Sequence, residues 1–132
     1  MPADPAATDG NGRAAAAKLT VYHLARLIFT ESALSGPELE AHQYTETFET
    51  TDRAAIDEAL AKIEASNATP SDAVLDARWG LVFSDASGAR VRTLYLNRFG
   101  TTAELDGERV TFSGRDLIDW LRAKYGADSV LA

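Results

Sequence analysis

The chain has 132 residues, 45% of them hydrophobic, no cysteine and a formal net charge of −7, which is one ordinary domain's length with apolar material for one core. The absent thiol excludes disulfides, thiolate metal sites and cysteine nucleophiles, and the acidity excludes a general nucleic-acid binder, whose phosphate contacts need clustered Lys and Arg. No apolar run approaches the ~18 residues of a membrane span, so the sequence reads as soluble: cytoplasmic or, if a signal or lipid anchor has been trimmed ahead of it, periplasmic or extracellular.

Met1 to Ala17 combine Pro2, Pro5, Gly10 and Gly12 with small residues, a composition that buries too little to offset its ordering entropy. Residues 1–17 are therefore expected to be a disordered leader or linker, and residues 18–132 a single domain. From Leu19 to Phe29 the odd positions Leu19, Val21, His23, Ala25, Leu27 and Phe29 form a mostly apolar face at period two, which favours one long strand. Ala17, Val21, Leu24 and Ile28 also fall on a helical stripe, so a helix is the rival reading. Ser35-Gly36-Pro37 reads as a loop, and His42 to Glu49 as a second strand in a hairpin with the first.

Thr51 or Asp52 then suits a helix N-cap, and Ile56, Ala59, Leu60 and Ile63 recur at helical spacing up to a stop at Ser66-Asn67. Thr69-Pro70-Ser71-Asp72 restart the chain, with a short helical turn conceivable through Ala73 to Leu75. Arg78 to Phe83 places Trp79, Leu81 and Phe83 on one strand face; Asp85-Ala86-Ser87-Gly88 is turn chemistry, and Val91 to Phe99 is the returning strand. Gly100 breaks that strand. Ala103 to Leu105 and Arg109 to Phe112 flank Asp106-Gly107, a pair favoured in type I′ turns because both central residues need positive φ. Ser113 and Asp116 resemble a capping box ahead of the stripe Leu117, Trp120, Leu121 and Tyr125, with Gly126 as the stop. The predicted class is α+β: a mostly antiparallel sheet of five or six strands with two helices on one face, in the order ββα-βββ(β)-α.

The acidity is uneven. Residues 1–66 carry −6 and residues 67–132 carry −1, and within Glu31, Glu38, Glu40, Glu46, Glu49, Asp52, Asp57 and Glu58 the only intervening basic residue is Arg53. A solvated face explains this, and so does a docking surface for a basic protein partner, whose encounter it would accelerate. The residues expected to form such a surface are Glu31, Glu38, Glu40, His42, Tyr44, Glu46 and Glu49. On a strand, Glu40, His42, Tyr44 and Glu46 share one face at steps of roughly 6 to 7 Å, which also permits acid–base chemistry through His42 with Glu40 or Glu46. An edge strand's charged face is the simpler account.

His23 sits among apolar residues, and Tyr22, His23 and Trp79 are the candidates for lining a ligand pocket. Arg90, Arg92 and Arg98 share one parity with Leu94 and Leu96, an arrangement that suits either an anion clamp or pairing with Glu104 or Glu108. With two histidines and no cysteine, no metal site and no cofactor are expected, and no nucleophile elbow, phosphate loop or dinucleotide fingerprint occurs. The leading expectation is a non-enzymatic binding protein, such as an inhibitor or immunity protein for a basic partner. A small-ligand carrier and a histidine-dependent enzyme are the alternatives.

Overall fold

A computed structural model describes residues 15–25, 28, 30 and 32–125. Its elements run β1 (Lys18–His23), α1 (Gly36–Ala41), β2 (Glu46–Thr50), α2 (Arg53–Glu64), β3 (Thr69–Pro70), β4 (Trp79–Ser84), β5 (Arg90–Leu96), β6 (Thr102–Leu105), β7 (Glu108–Thr111) and α3 (Asp116–Tyr125). Local chemistry sets most of the boundaries. Asp106 at φ 50° and Gly107 at φ 89° both take positive φ, so β6 and β7 join through the expected two-residue turn, in register from Leu105↔Glu108 to Thr102↔Thr111. Asp85 closes the β4–β5 hairpin: its Oδ1 accepts from Ser87 N (2.9 Å), Ser87 Oγ (2.6 Å) and Ala89 N (3.0 Å). Asp52 caps α2 by accepting from Ala55 N, and the chain leaves that helix through Asn67 at φ 54°.

The strands form one antiparallel sheet in the order β2-β1-β4-β5-β6-β7-β3. The class is α+β as expected, with seven strands rather than five or six and three helices rather than two among the described residues. One sheet face carries Leu19, Val21, Trp79, Leu81, Phe83, Leu94, Leu96 and Ala103, and α2 and α3 close over it with Ile56, Leu60, Ile63, Leu117, Ile118 and Leu121. Each fully buried aliphatic or aromatic side chain contributes about 1.5–3 kcal/mol, so this layer outweighs any ion pair on the surface. A second, smaller apolar cluster lies on the opposite face, where Leu39 of α1 joins Leu24, Leu34, Leu75, Ala77 and Tyr95. With cover on both sides, all six residues of β4 are buried.

Four expectations need correction. The first strand stops at His23, because β4 begins opposite it at Trp79 and β2 at Glu46. Beyond that point neither strand offers a further residue to pair, and Leu24 turns its N–H to Arg78 O at 2.9 Å. Arg26, Leu27, Phe29 and Glu31 lie outside the described residues. Ser35-Gly36-Pro37 is a helix start instead of a loop: Ser35 Oγ accepts from Glu38 N while Glu38 Oε1 accepts from Ser35 N, a full capping box with proline in the first turn. The second strand consequently begins at Glu46 rather than His42. Thr69-Pro70 pairs with β7 as a two-residue edge strand, a position proline tolerates because it has no donor to offer a ladder.

The packed body also reaches back beyond residue 18. Ala16 is buried in the main core, and Ala17 N donates to Ser84 O at 2.7 Å. Residues 1–14 and 126–132 lie outside the described residues, Gly126 among them.

Candidate functional site

The row Glu40, His42, Tyr44 and Glu46 does not form, because its members stand on a helix, a helix C-cap, a turn and a strand. Glu40 leaves α1 toward the sheet, where Arg90 binds it with two parallel hydrogen bonds of 2.6 and 3.0 Å and the Tyr95 hydroxyl donates to Oε2. Partial burial pushes the Glu40 carboxyl upward, but the Arg90 and Tyr95 hydrogen bonds outweigh it and hold it below its ordinary value. Burial, and then Glu40, push the Tyr95 hydroxyl up to about 12.

A β-bulge places Arg90 there. The β4–β5 register shifts between Phe83, opposite Arg92, and Ser84, opposite Arg90, so the extra residue turns Arg90 to the α1 side while Arg92 stays on the other. The shared parity of the arginines is thus broken. Arg92 lies 3.4 Å from Asp106 Oδ2, and Glu104 is taken by Arg109 at 3.9 Å. Glycine makes the close approach possible: the Tyr95 ring lies between Gly36 of α1 and Gly80 of β4. A Cβ on Gly80 would sit 3.2 Å from that ring, and one on Gly36 would collide with it.

His42 Nδ1 accepts from Tyr44 N at 3.2 Å, and the two rings lie 5.8 Å apart. Tyr44 is 61% exposed. Glu46 and Glu49 stand on β2, with side chains 56% and 59% exposed; Glu46 lies 3.6 Å from His23 Nδ1 and Glu49 3.7 Å from Lys18. Glu38 is exposed and committed to capping α1. Glu40 and Asp57 are paired with Arg90 and Arg53, as Glu49 is with Lys18.

His23 and Trp79 are brought together, and Tyr22 is not. The two rings stack at 3.9 Å and 19°, both buried on the α2–α3 side, whereas alternation sends Tyr22 to the opposite face with the α1 cluster. Burial pulls the His23 pKa below its ordinary value, against the opposing pull of Glu46. At 3.6 Å Glu46 is within ion-pair range but too distant for a hydrogen bond, and Nδ1 has no other partner among the described residues.

A groove of about 460 Å³ opens elsewhere, between the chain beyond β1, the segment before β4 and the β5–β6 turn; Asp76, Arg78, Asn97, Arg98 and Phe99 help to line it. Sequence reasoning passed over it because its walls come from three irregular segments. No group of three or more potential metal ligands occurs among the described residues, and no described helix is long and apolar enough to cross a membrane.

These features define an α+β protein built on a single seven-stranded antiparallel sheet. No family model matches the chain, and neither a curated protein nor a solved structure matches it.

Proposed function

We propose that the chain is a non-catalytic binding protein that offers the acidic free edge of its sheet to a basic protein partner, as an inhibitor or immunity protein does. The observation that carries this reading is the composition of that edge. β2 ends the sheet on one side, with Glu46 and Glu49 more than half exposed and Tyr44 61% exposed at its start. The opposite edge is a strand of two residues ending in proline, which leaves little ladder to extend. Tyrosine is among the side chains enriched where protein interfaces are anchored, and the glutamates of the strand that follows Tyr44 would steer a basic partner toward encounter.

The concentration of −6 in residues 1–66 supports the same reading. The test is capture from a lysate of the source cells over a salt series, comparing the wild type with Tyr44→Ala and with the double variant Glu46→Lys/Glu49→Lys. A basic protein should be retained by the wild type, released as salt rises, and lost in both variants. Capture indifferent to salt and to the charge reversal would remove the electrostatic basis of the reading.

A further inference from the structure

The geometry points to a second binding site, separate from the acidic edge: the groove beside the β5–β6 turn takes a small carboxylate with a flat apolar body, an aryl-alkanoate in class. Its volume of about 460 Å³ lies within the roughly 300–1,000 Å³ usual for small-molecule sites. Two apolar side chains are left to water at its rim, Val74 at 79% and Phe99 at 53% exposure. The Arg98 guanidinium lies over the Phe99 ring, 4.7 Å from its centroid.

The charged groups decide the sign of the ligand. Asp76 has no free oxygen to offer a cation: Oδ1 accepts from Leu34 N at 2.9 Å, and Oδ2 accepts from Arg78 at 3.0 and 3.1 Å. Arg78 is equally committed, donating also to Ile28 O at 2.8 Å and to Thr30 Oγ1 at 3.1 Å. Arg98 has no carboxylate partner among the described residues. It is the one uncommitted charge of the described lining, in a chain whose net charge is −7, and it favours an anion.

The turn that presents Arg98 and Phe99 is already ordered. Asn97 Oδ1 accepts from Thr101 N at 2.9 Å and Thr102 N at 3.2 Å, and Asn97 O accepts from Gly100 N at 3.1 Å. Arg98 O accepts from Arg122 of α3 at 2.6 Å, and Gly100, at φ 76°, lies against Ile118, where a Cβ would come within 2.5 Å. A turn whose backbone is already fixed needs little further ordering when a ligand arrives. A ligand ring covers Phe99 and Val74 while its carboxylate pairs with Arg98.

The probe is 3-phenylpropionate, titrated into the full chain at ~0.15 M salt, where charges beyond about 8 Å are screened, with amide NMR shifts as the readout and the neutral 3-phenylpropan-1-ol as the control. Saturating shifts are expected at Val74, Asn97 and Phe99, with the acid binding roughly tenfold more tightly than the alcohol, the size of one charge-assisted contact. Arg98→Gln should abolish that preference and leave the alcohol's affinity unchanged, and Phe99→Ser should weaken both. Both positions are exposed, so the variants should fold. No saturating shift at the groove, equal affinity for acid and alcohol, or a preference that survives Arg98→Gln would overturn the assignment.

Discussion

At the scale of single residues, the tie between Glu40, Arg90 and Tyr95 is the most informative contact in the molecule, because it decides where α1 rests. The Glu40 side chain is 17% exposed and that of Arg90 49%. Solvent therefore weakens the Coulomb attraction, and most of the worth lies in the fork geometry and the tyrosine hydroxyl. Glu40→Gln should lower stability in urea by about 1–2 kcal/mol, and Tyr95→Phe by about 1 kcal/mol. The double variant should lose less than the sum of the two, since Glu40→Gln weakens and Tyr95→Phe removes the same hydrogen bond. Strict additivity would show that the contact does not operate in solution.

At the scale of elements, the docking of α1 depends on the absence of a side chain at Gly36. A methyl there meets the Tyr95 ring, so Gly36→Ala should cost about 1–3 kcal/mol. Hydrogen exchange should accelerate in α1 and at Tyr95 while β4 keeps its protection. Unchanged exchange in α1 would mean that the helix does not need this approach.

Elements fixed by their own residues were legible in the sequence: α2 by its stripe and Asp52 cap, the β6–β7 turn by Asp106-Gly107, β4 by the alternation of Trp79, Leu81 and Phe83. Elements fixed by distant partners were not. β1 shows period-two alternation as far as Phe29, yet ends at His23 because its partners begin there. Thr69-Pro70 carries no strand signal at all and is extended by β7. The helix at Gly36 was signalled by Ser35 and Glu38, three residues apart, and was missed because Gly-Pro reads first as a break. For the candidate sites, alternation places His23 and Trp79 each on an apolar strand face, but their meeting depends on the pairing of β1 with β4, which no local pattern shows. The link from Glu40 to Arg90 depends on a bulge and spans fifty positions of the chain, beyond the reach of any local pattern.

At the scale of the whole molecule, stability should follow pH through His23. Burial holds its folded pKa below the ordinary value of 6.5, so as pH falls the unfolded chain takes up the proton before the folded chain does. Stability is then complete above about 6.5 and declines as pH drops from there toward the folded value. Glu40, held below the ordinary 4.5, adds a separate loss at more acid pH. Melting temperatures measured from about pH 8 down to about pH 2 should show the first decline in the wild type and not in His23→Gln, with the second, below the ordinary carboxylate value, present in both. An identical profile for the two proteins would remove His23 from the explanation.

The order of the sheet bears on how the chain comes to be folded at all. β4 to β7 are consecutive neighbours joined by short turns, whereas β1 waits for β4, whose residues lie some sixty positions downstream. Closing so long a loop is slow relative to zipping a hairpin. A ribosome delivers β1 and β2 first, so the acidic half of the polypeptide is synthesised without the strand that completes it. In pulse-labelled hydrogen exchange during refolding, β4 to β7 should therefore gain protection before β1 and β2, and simultaneous protection of all six strands would show that the long closure does not limit folding.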